Sequence, residues 1–406
     1  MKETVHLKRS LSLSQMVLYG LGTTIGAGIY ALIGELAAIS GYMAPAAFLL
    51  ASIMAGLTAL SFAELSSRYP QAAGASLYIK QGFGSDTLAL FVGLLVFLAG
   101  VVSSAALINA FLAYLTQFFD SPRFINILLI ALIIGALAAW GIAESVFIAT
   151  VITLLEIAGL VLIIINSYPV YSELPLQLPQ LLPGSDSSHW WAIYSGALLA
   201  FYAFIGFEDM VDVAEEIQQV RRNLPLAIII TLAVTTLLYM LIMLAAVLAI
   251  TPEQLAKEKA PLIALYQHFS GQYTSLLNLI AMFAIINGAL IQTIMASRVL
   301  YGLSSRGQLH ASLSRVHPYT RTPLMATALA ISCVFVFALI AQLSTLAAAT
   351  SLIMLGIFSL VNLALWRVKR RQPKPEGVIV FPLWLPVSGF LVSSVFLISQ
   401  LFRLGG

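Results

Sequence analysis

The 406 residues are 60% hydrophobic and 9% charged, with a formal net charge of +3; a soluble domain carries roughly a quarter charged residues. That balance excludes a soluble enzyme and a nucleic-acid partner. The single Cys333 excludes an intrachain disulfide and any cysteine metal cluster.

Apolar stretches of about 20 residues, each enough to cross a bilayer, recur from end to end. The opening "MKETVHLKRSLSLSQ" is charged and leads into a run longer than a signal-peptide core, so the first span is expected to stay in the mature protein. The pattern predicts eleven spans, at 14–40, 43–64, 86–118, 123–142, 145–166, 189–216, 224–250, 276–303, 323–341, 345–367 and 382–403. One polytopic membrane domain accounts for all 406 residues. Of the 20 Lys and Arg residues, only Arg123, Lys257, Lys259 and Arg403 fall outside if the N-terminus is inside. This is the positive-inside bias of a multi-pass protein of the cytoplasmic membrane, and an odd span count puts the C-terminus outside. Three loops are long. "PVYSELPLQLPQLLPGSDSSHW" is rich in Pro and Ser and reads as an external connection between two groups of five spans. "TPEQLAKEKAPLIALYQHFSGQYT" reads as partly helical along the membrane surface, and "WRVKRRQPKPEGVIVFP" as a basic inside linker.

Two spans carry breaks. "GLGTTIGAGIY" (residues 20–30) sits inside the first, and Ile205-Gly206 interrupts "SGALLAFYAFIGFEDMVDVAEEI" in the sixth, just before Glu208, Asp209 and Asp212. Glycine costs about 1 kcal/mol relative to alanine within a helix, and open backbone survives in a membrane only where it lines a polar cavity. Breaks at matching places in two halves point to a binding site at their interface, and five helices per half would make the repeat inverted. The first repeat is expected at about 14–166, the second at about 189–367, with an extra helix at about 382–403. Close helix packing through small residues is the competing explanation of "GAG". Exposed amides of Gly26, Ala27 and Gly28, at a helix N-terminus, suit a carboxylate. Carbonyls near Ile25 and of Ala203, Phe204 and Ile205 suit an ammonium. Together they describe an α-amino acid.

The stretch "GLGTTIGAGIYALIGELAAISGYMAPAAFLLASIMAGLTALSFAELSSRYPQAAGASLYI" resembles the opening of the amino acid–polyamine–organocation (APC) superfamily. "FYAFIGFEDMVDVAEEI" with "RRNLPLAIIITL" resembles its sixth and seventh helices, above all in the cationic amino acid transporter branch and its bacterial relatives, and "ASRVLYGLSSRGQLH" the end of its eighth. The resemblance covers roughly the first 370 residues. It implies an all-α, leucine-transporter-like fold with an inverted five-plus-five repeat and discontinuous helices one and six. It also implies alternating access and an amino acid or amine substrate held by Thr23, Thr24, Ile25, Gly26, Ala27, Gly28 and the stretch from Phe201 to Glu208. That stretch includes Ala203, Ile205 and Gly206, with Phe204 or Phe207 as an aromatic gate. Most relatives carry twelve helices where eleven are expected here.

In "GIAESVFIATVITLLEIAGLVLIII", Glu156 stands where many relatives place a lysine in helix five. A lone carboxylate at this depth costs about 2.5–3.5 kcal/mol or more unless protonated or paired. Glu156 is therefore a candidate for carrying a coupled proton; sodium, the amine of a substrate, or a structural hydrogen bond are the alternatives. Glu208 is the second coupling candidate, against bracing the break. Asp209 and Asp212 either set a negative field or cap the second half-helix, capping being preferred. Glu64 with Arg68, and Glu215–Glu216 with Arg221–Arg222, read as interfacial pairs. Glu35 reads as either lining the approach or packing. Ser103, Ser104, Asn109 and Asn287 are polar enough to touch a ligand, although interhelical bonding explains each. His6, His189, His268, His310 and His317 fall near the membrane surfaces without helical pair spacing and make no metal site. No cofactor, catalytic residue or protein partner is expected. The reading is secondary active amino acid transport, coupled to protons or run as exchange, with a polyamine carrier or a non-transporting amino acid sensor as alternatives. An intramembrane enzyme lacks a reactive constellation, and no phosphate-binding glycine loop with lysine supports ATP-driven pumping.

Overall fold

The computed structural model describes residues 7–115, 122–258, 260–271, 275–340 and 343–405, with Gly26, Ala27 and Gly28 described in backbone only; His6 and Lys259 lie outside the described residues. Nearly all of it is helix. The first span is α1 (Leu13–Thr24) and α2 (Gly26–Ser40), and the second is α3 (Ala44–Arg68). A short α4 (Gly74–Phe83) precedes α5 (Asp86–Leu115), α6 (Arg123–Trp140) and α7 (Ile142–Asn166). After α8 (Tyr168–Leu181), the sixth span is α9 (Ser187–Ala200) continued by 3₁₀ stretches at Phe201–Phe204 and Phe207–Glu216. Then come α10 (Val220–Ala249), short α11 (Pro252–Leu255) and α12 (Pro261–Ser270), and finally α13 (Ser275–Ser305), α14 (Leu324–Ile340), α15 (Leu343–Arg371) and α16 (Trp384–Gly405).

Over their described residues, each of the eleven expected spans is mostly helical. Among the described residues nine stretches are long and apolar enough to cross a membrane. The first span, split at Ile25, is not counted whole, and Leu324–Ile340 is shorter. Local chemistry sets the ends: Ser12 and Gln15 form a capping box at the start of α1, and Gly141 separates α6 from α7. The 252–270 loop is partly helical, as its sequence indicates. The Pro-rich connection contains a helix, α8, that carries Pro175 and Pro179 within it. Val170 and Leu181 are buried, Tyr171 and Leu174 pack on the core, and the Tyr171 hydroxyl donates to the Leu241 carbonyl at 3.0 Å. Tertiary packing on one face outweighs the local cost of proline.

Around the broken spans, α5 runs along α13 and α3 along α10, the third and second spans of each group of five meeting their counterparts. That is how two halves related by a two-fold axis would pack. Phe124, Leu132, Phe147, Leu154 and Val395 are exposed on α6, α7 and α16. Such an apolar outer face suits hydrocarbon, and exposed Trp140, Trp190, Trp191 and Trp384 stand near span ends as an aromatic belt does.

The ends richest in Lys and Arg are closed by buried ions. Glu64 accepts from Arg68 Nη2 at 2.7 Å and from Lys369 Nζ at 2.7 Å, and its Oε2 also accepts from the Phe381 amide. The expected pairing of Glu64 with Arg68 is present, but Glu216 pairs with the fully buried Arg298 at 3.0 Å. Arg298 lies one helix away on α13, so the adjacent Arg221 and Arg222 are not its partners; both are exposed. Glu215 accepts from the Ala72 amide and the Tyr301 hydroxyl. Before α1, the Ser10 and Leu11 amides donate to the Glu216 carbonyl, both at 3.0 Å, and the Gln218 amide donates back to Leu11 at 2.9 Å.

Removing Glu64 strands two buried cations, so Glu64→Ala should destabilise the fold by about 3–5 kcal/mol. A lowered thermal unfolding midpoint in detergent, larger than that of an exposed control such as Glu253→Ala, checks it.

Candidate functional site

The two breaks lie against each other. Helix one is interrupted at the single residue Ile25, and the next helix begins at Gly26. The sequence indicates a longer unwound stretch, but Ile25 keeps helical angles (φ −72°, ψ −20°) and its amide still reaches the Leu21 carbonyl. The sixth span departs further from helix. Ile205 is extended and Gly206 takes φ +127°, ψ −23°, a region open to glycine and costly for residues with a Cβ. A Cβ on Gly206 would lie 2.8 Å from the Thr23 carbonyl oxygen. Glycine is thus required twice, by conformation and by contact.

Three side chains hold the junction. The Thr23 hydroxyl is shared between the carbonyls of Gly20, at 2.7 Å, and Gly206, at 2.9 Å. Glu208 Oε2 accepts from the Gly206 amide at 2.9 Å. Tyr239, from α10, donates to the Thr24 carbonyl at 2.7 Å and reaches that of Ala203 at 3.3 Å. One phenol therefore addresses freed carbonyls of both broken spans, an arrangement with no signature in the local sequence of either.

Beside the junction lies a cavity with about 700 Å³ of atom-free space, part of it open to solvent. From the broken spans it is lined by Thr23, Thr24, Tyr202, Ala203, Ile205, Glu208 and Asp209. From α5 come Val96, Ala99, Gly100, Ser103 and Leu107; Gly288, Gln292 and Met295 come from α13, and Thr350 and Met354 from α15. Of the residues singled out in the sequence, Thr23, Thr24, Ala203, Ile205 and Glu208 meet at this cavity. Gly206 lies behind them as the close backbone contact. Gly26, Ala27 and Gly28 start α2 beside the cavity in sequence, and beyond their backbone they lie outside the described residues.

The other candidates divide between the cavity and the core. Phe204 is buried against Phe48 and Tyr239, and Phe207 stacks on Phe358 with ring centres 5.5 Å apart. Both rings are absorbed by the core, whereas Tyr202, two residues before Phe204, lines the cavity. Ser104 bonds the Ala289 carbonyl and Thr293, each at 3.0 Å, while its neighbour Ser103 faces the cavity. Asp209 lines the cavity instead of serving only as a cap, and Asp212 accepts from the Gly74 amide at 3.0 Å, anchoring the start of α4. Gln292 was not legible as a site residue. Its amide donates to Asp209 Oδ2 at 2.5 Å.

Glu156 and Asn287 form a second polar centre. Asn287 Nδ2 donates to Glu156 Oε1 and to Thr153 Oγ1, both at 3.1 Å. Gly22 of α1 passes over this group so closely that a Cβ there would overlap Thr153. Glu156 and Asn287 are fully buried, and Glu156 Oε2 and Asn287 Oδ1 have no hydrogen-bond partner. The centre joins the first, fifth and eighth spans and does not line the cavity. Among the described residues no group of His, Cys, Asp and Glu has the grouping of a metal site.

Comparisons with known proteins agree with this architecture. A family model described as amino acid permease matches residues 11–404. The cationic amino acid transporter 3, mitochondrial, of Arabidopsis thaliana is 26% identical over 398 residues, covering 91% of this chain and 64% of that protein. The branched-chain amino acid permease BcaP of Bacillus subtilis (strain 168) is 26% identical over 409 residues, covering 93% of this chain and 85% of that one. The chain spans 62% to 65% of the length of three Arabidopsis cationic transporters it matches. A Na+-coupled sialic acid symporter, solved in a substrate-bound outward-open state, superposes with a TM-score of 0.60. It is 15% identical and covers 97% of this chain and 90% of its own. The fold is thus the leucine-transporter-like one.

Gly206→Ala should cost about 1–3 kcal/mol in backbone strain alone, with displacement of the Thr23 carbonyl added. Gly41→Ala, at φ +53° with nothing within 4 Å of the added Cβ, tests strain without the contact. Unfolding midpoints of the two variants should therefore separate, with Gly206→Ala the lower.

Proposed function

Because the chain belongs to the amino acid permease family, we propose that it carries an amino acid across the cytoplasmic membrane by secondary active transport. It alternates access around a site between the two broken spans, and coupling is to protons or to exchange of a second substrate. The observation that carries this reading is the junction itself: two interrupted helices abut at a polar cavity in the middle of a multi-pass bundle. No soluble or structural role requires that cost.

The residues divide the work. The start of α2 at Gly26 offers backbone amides and a helix N-terminus to the substrate carboxylate, with the Thr23 and Thr24 hydroxyls beside it. Carbonyls of the 203–205 stretch receive the ammonium. A ligand there bridges the two halves, residues 14–166 and 189–367, so binding energy couples to their relative motion. Alternation requires a ligand that binds the two states differently, and a substrate held by both halves meets that condition. With the N-terminus inside, the Glu216–Arg298 and Glu64–Lys369 pairs lie at the cytoplasmic end and the C-terminus outside.

Glu208 and Glu156 are the coupling candidates. Glu208 faces the cavity and braces Gly206, so its charge is felt at the break. Glu156 reaches α1 only through Thr153 and Asn287. A proton on either changes the cost of packing α1 against its neighbours, which is how a gradient would drive the cycle. Sodium at the Glu156 centre is the competing reading.

The test is uptake of a labelled amino acid panel, polyamines included, into liposomes holding the purified full chain, with and without an inward proton gradient. Gradient-stimulated uptake of one class establishes transport; binding without uptake or exchange under any gradient replaces it with a sensor. Gly26→Leu should abolish binding of every substrate by filling the carboxylate end, measured as loss of ligand-induced thermal stabilisation. Glu156→Gln should leave exchange intact and remove the response of net uptake to pH. An unchanged pH response makes Glu156 structural.

A further inference from the structure

We propose that Asp209, oriented by Gln292, is the specificity-determining residue of the cavity and reads a protonated nitrogen on the substrate's side chain. The inference rests on the transport reading above and names the substrate class for the same site.

Four observations carry it. First, Asp209 is 2% exposed and still lines the cavity, so its carboxylate is withdrawn from bulk water yet reachable by a ligand. Second, its hydrogen bonding is half complete. Oδ2 takes the Gln292 amide, and Oδ1 accepts no hydrogen bond among the described residues. Third, the cavity is charged in one sense: Glu208 and Asp209 line it, and no Lys, Arg or His does. The buried Arg298 and Lys369 are engaged at the basic end, with Glu216 and with Glu64. Fourth, the two acids are not equivalent. Glu208 is spent on the Gly206 amide, a bond that maintains the break whatever is bound, whereas Asp209 supports nothing through its side chain except Gln292.

A buried carboxylate without a counter-ion is costly, and a ligand that supplies the missing charge recovers that cost. The α-ammonium of the substrate has another place to go, the carbonyls of the sixth-span break. The group left for Asp209 is therefore on the side chain. Gln292 fixes the direction of the carboxylate from α13, across the cavity wall. It donates through its amide, so it adds no positive charge that would satisfy Asp209 in the empty site. A neutral aliphatic side chain would leave Asp209 buried and unpaired. An acidic one would face two like charges. Discrimination thus comes from the penalty against wrong substrates as much as from attraction to the right one.

The experiment compares lysine with leucine in the purified full chain, by uptake into liposomes and by ligand-induced thermal shift in detergent. Wild type should prefer lysine. Asp209→Asn, nearly isosteric, should lower the lysine-to-leucine ratio about tenfold or more, the scale of a lost hydrogen bond to a charged group. Asp209→Glu should recover part of it, and Gln292→Leu should lower it less than Asp209→Asn does. A ratio unchanged in Asp209→Asn overturns the proposal. So does an equal loss for both substrates, since that marks Asp209 as the partner of the shared α-ammonium. If neither substrate is taken up but lysine stabilises wild type and not Asp209→Asn, the transport reading fails and the assignment of Asp209 stands. If neither amino acid stabilises wild type, the assignment fails.

Discussion

The backbone contact between Gly206 and Thr23 governs the centre of this molecule. Two helices can approach to van der Waals distance of their main chains only where one has no side chain, and can stay open there only if their freed polar groups are answered. Thr23, Glu208 and Tyr239 answer them from three directions. Each bonds main-chain atoms of one or both broken segments, so the break is a fixed structure and not a frayed end. The cavity follows from it: with the sixth span turned aside at Ile205, the space between α5, α13 and α15 is left unfilled.

Around this junction the protein keeps charge under close control. Polar groups in the bundle interior are nearly all in short bonded sets: Ser104 with Thr293, Asn362 with Thr58, Glu216 with Arg298. Other interior groups are left incomplete, among them Asp209, half bonded at the cavity wall, and Glu156 with Asn287, each leaving one oxygen unmet behind α1. In a medium that offers no water such incompleteness is expensive, and around the first and sixth spans it falls on carboxyl groups. The acids of the basic end are paired with cations, whereas Glu208, Asp209 and Glu156 near the breaks have only neutral donors.

The sequence made the membrane architecture legible because that architecture depends on composition over long windows. Eleven apolar runs, sixteen of 20 basic residues on one side, and glycine-bearing breaks at matching places are local or periodic signals. The positions of Thr23, Thr24, Ala203, Ile205 and Glu208 at the cavity follow from the same breaks. What escaped depends on rotation about helix axes and on partners far along the chain. Whether Phe204 or Tyr202 faces the cavity is a matter of two residues in a 3₁₀ segment whose period differs from that of an α-helix. Ser103 against Ser104 is the same problem. Gln292 and Tyr239 are ordinary residues in ordinary helices, and only the fold reveals that they meet Asp209 and the open carbonyls. The helix α8, with prolines inside it, had no periodic signal in the sequence and is held by packing on one face.

The short bridge between Leu11 and Ile217 has a mechanical consequence. It fastens the chain just ahead of the first broken span to the chain just after the sixth, through backbone bonds that do not depend on side-chain identity. The two lower half-helices are thereby linked at both ends, by this clasp at the basic end and by Gly206 on Thr23 at the middle. Two rods joined at two points have few independent degrees of freedom, so they swing as one lever, and neither can tilt without carrying the other.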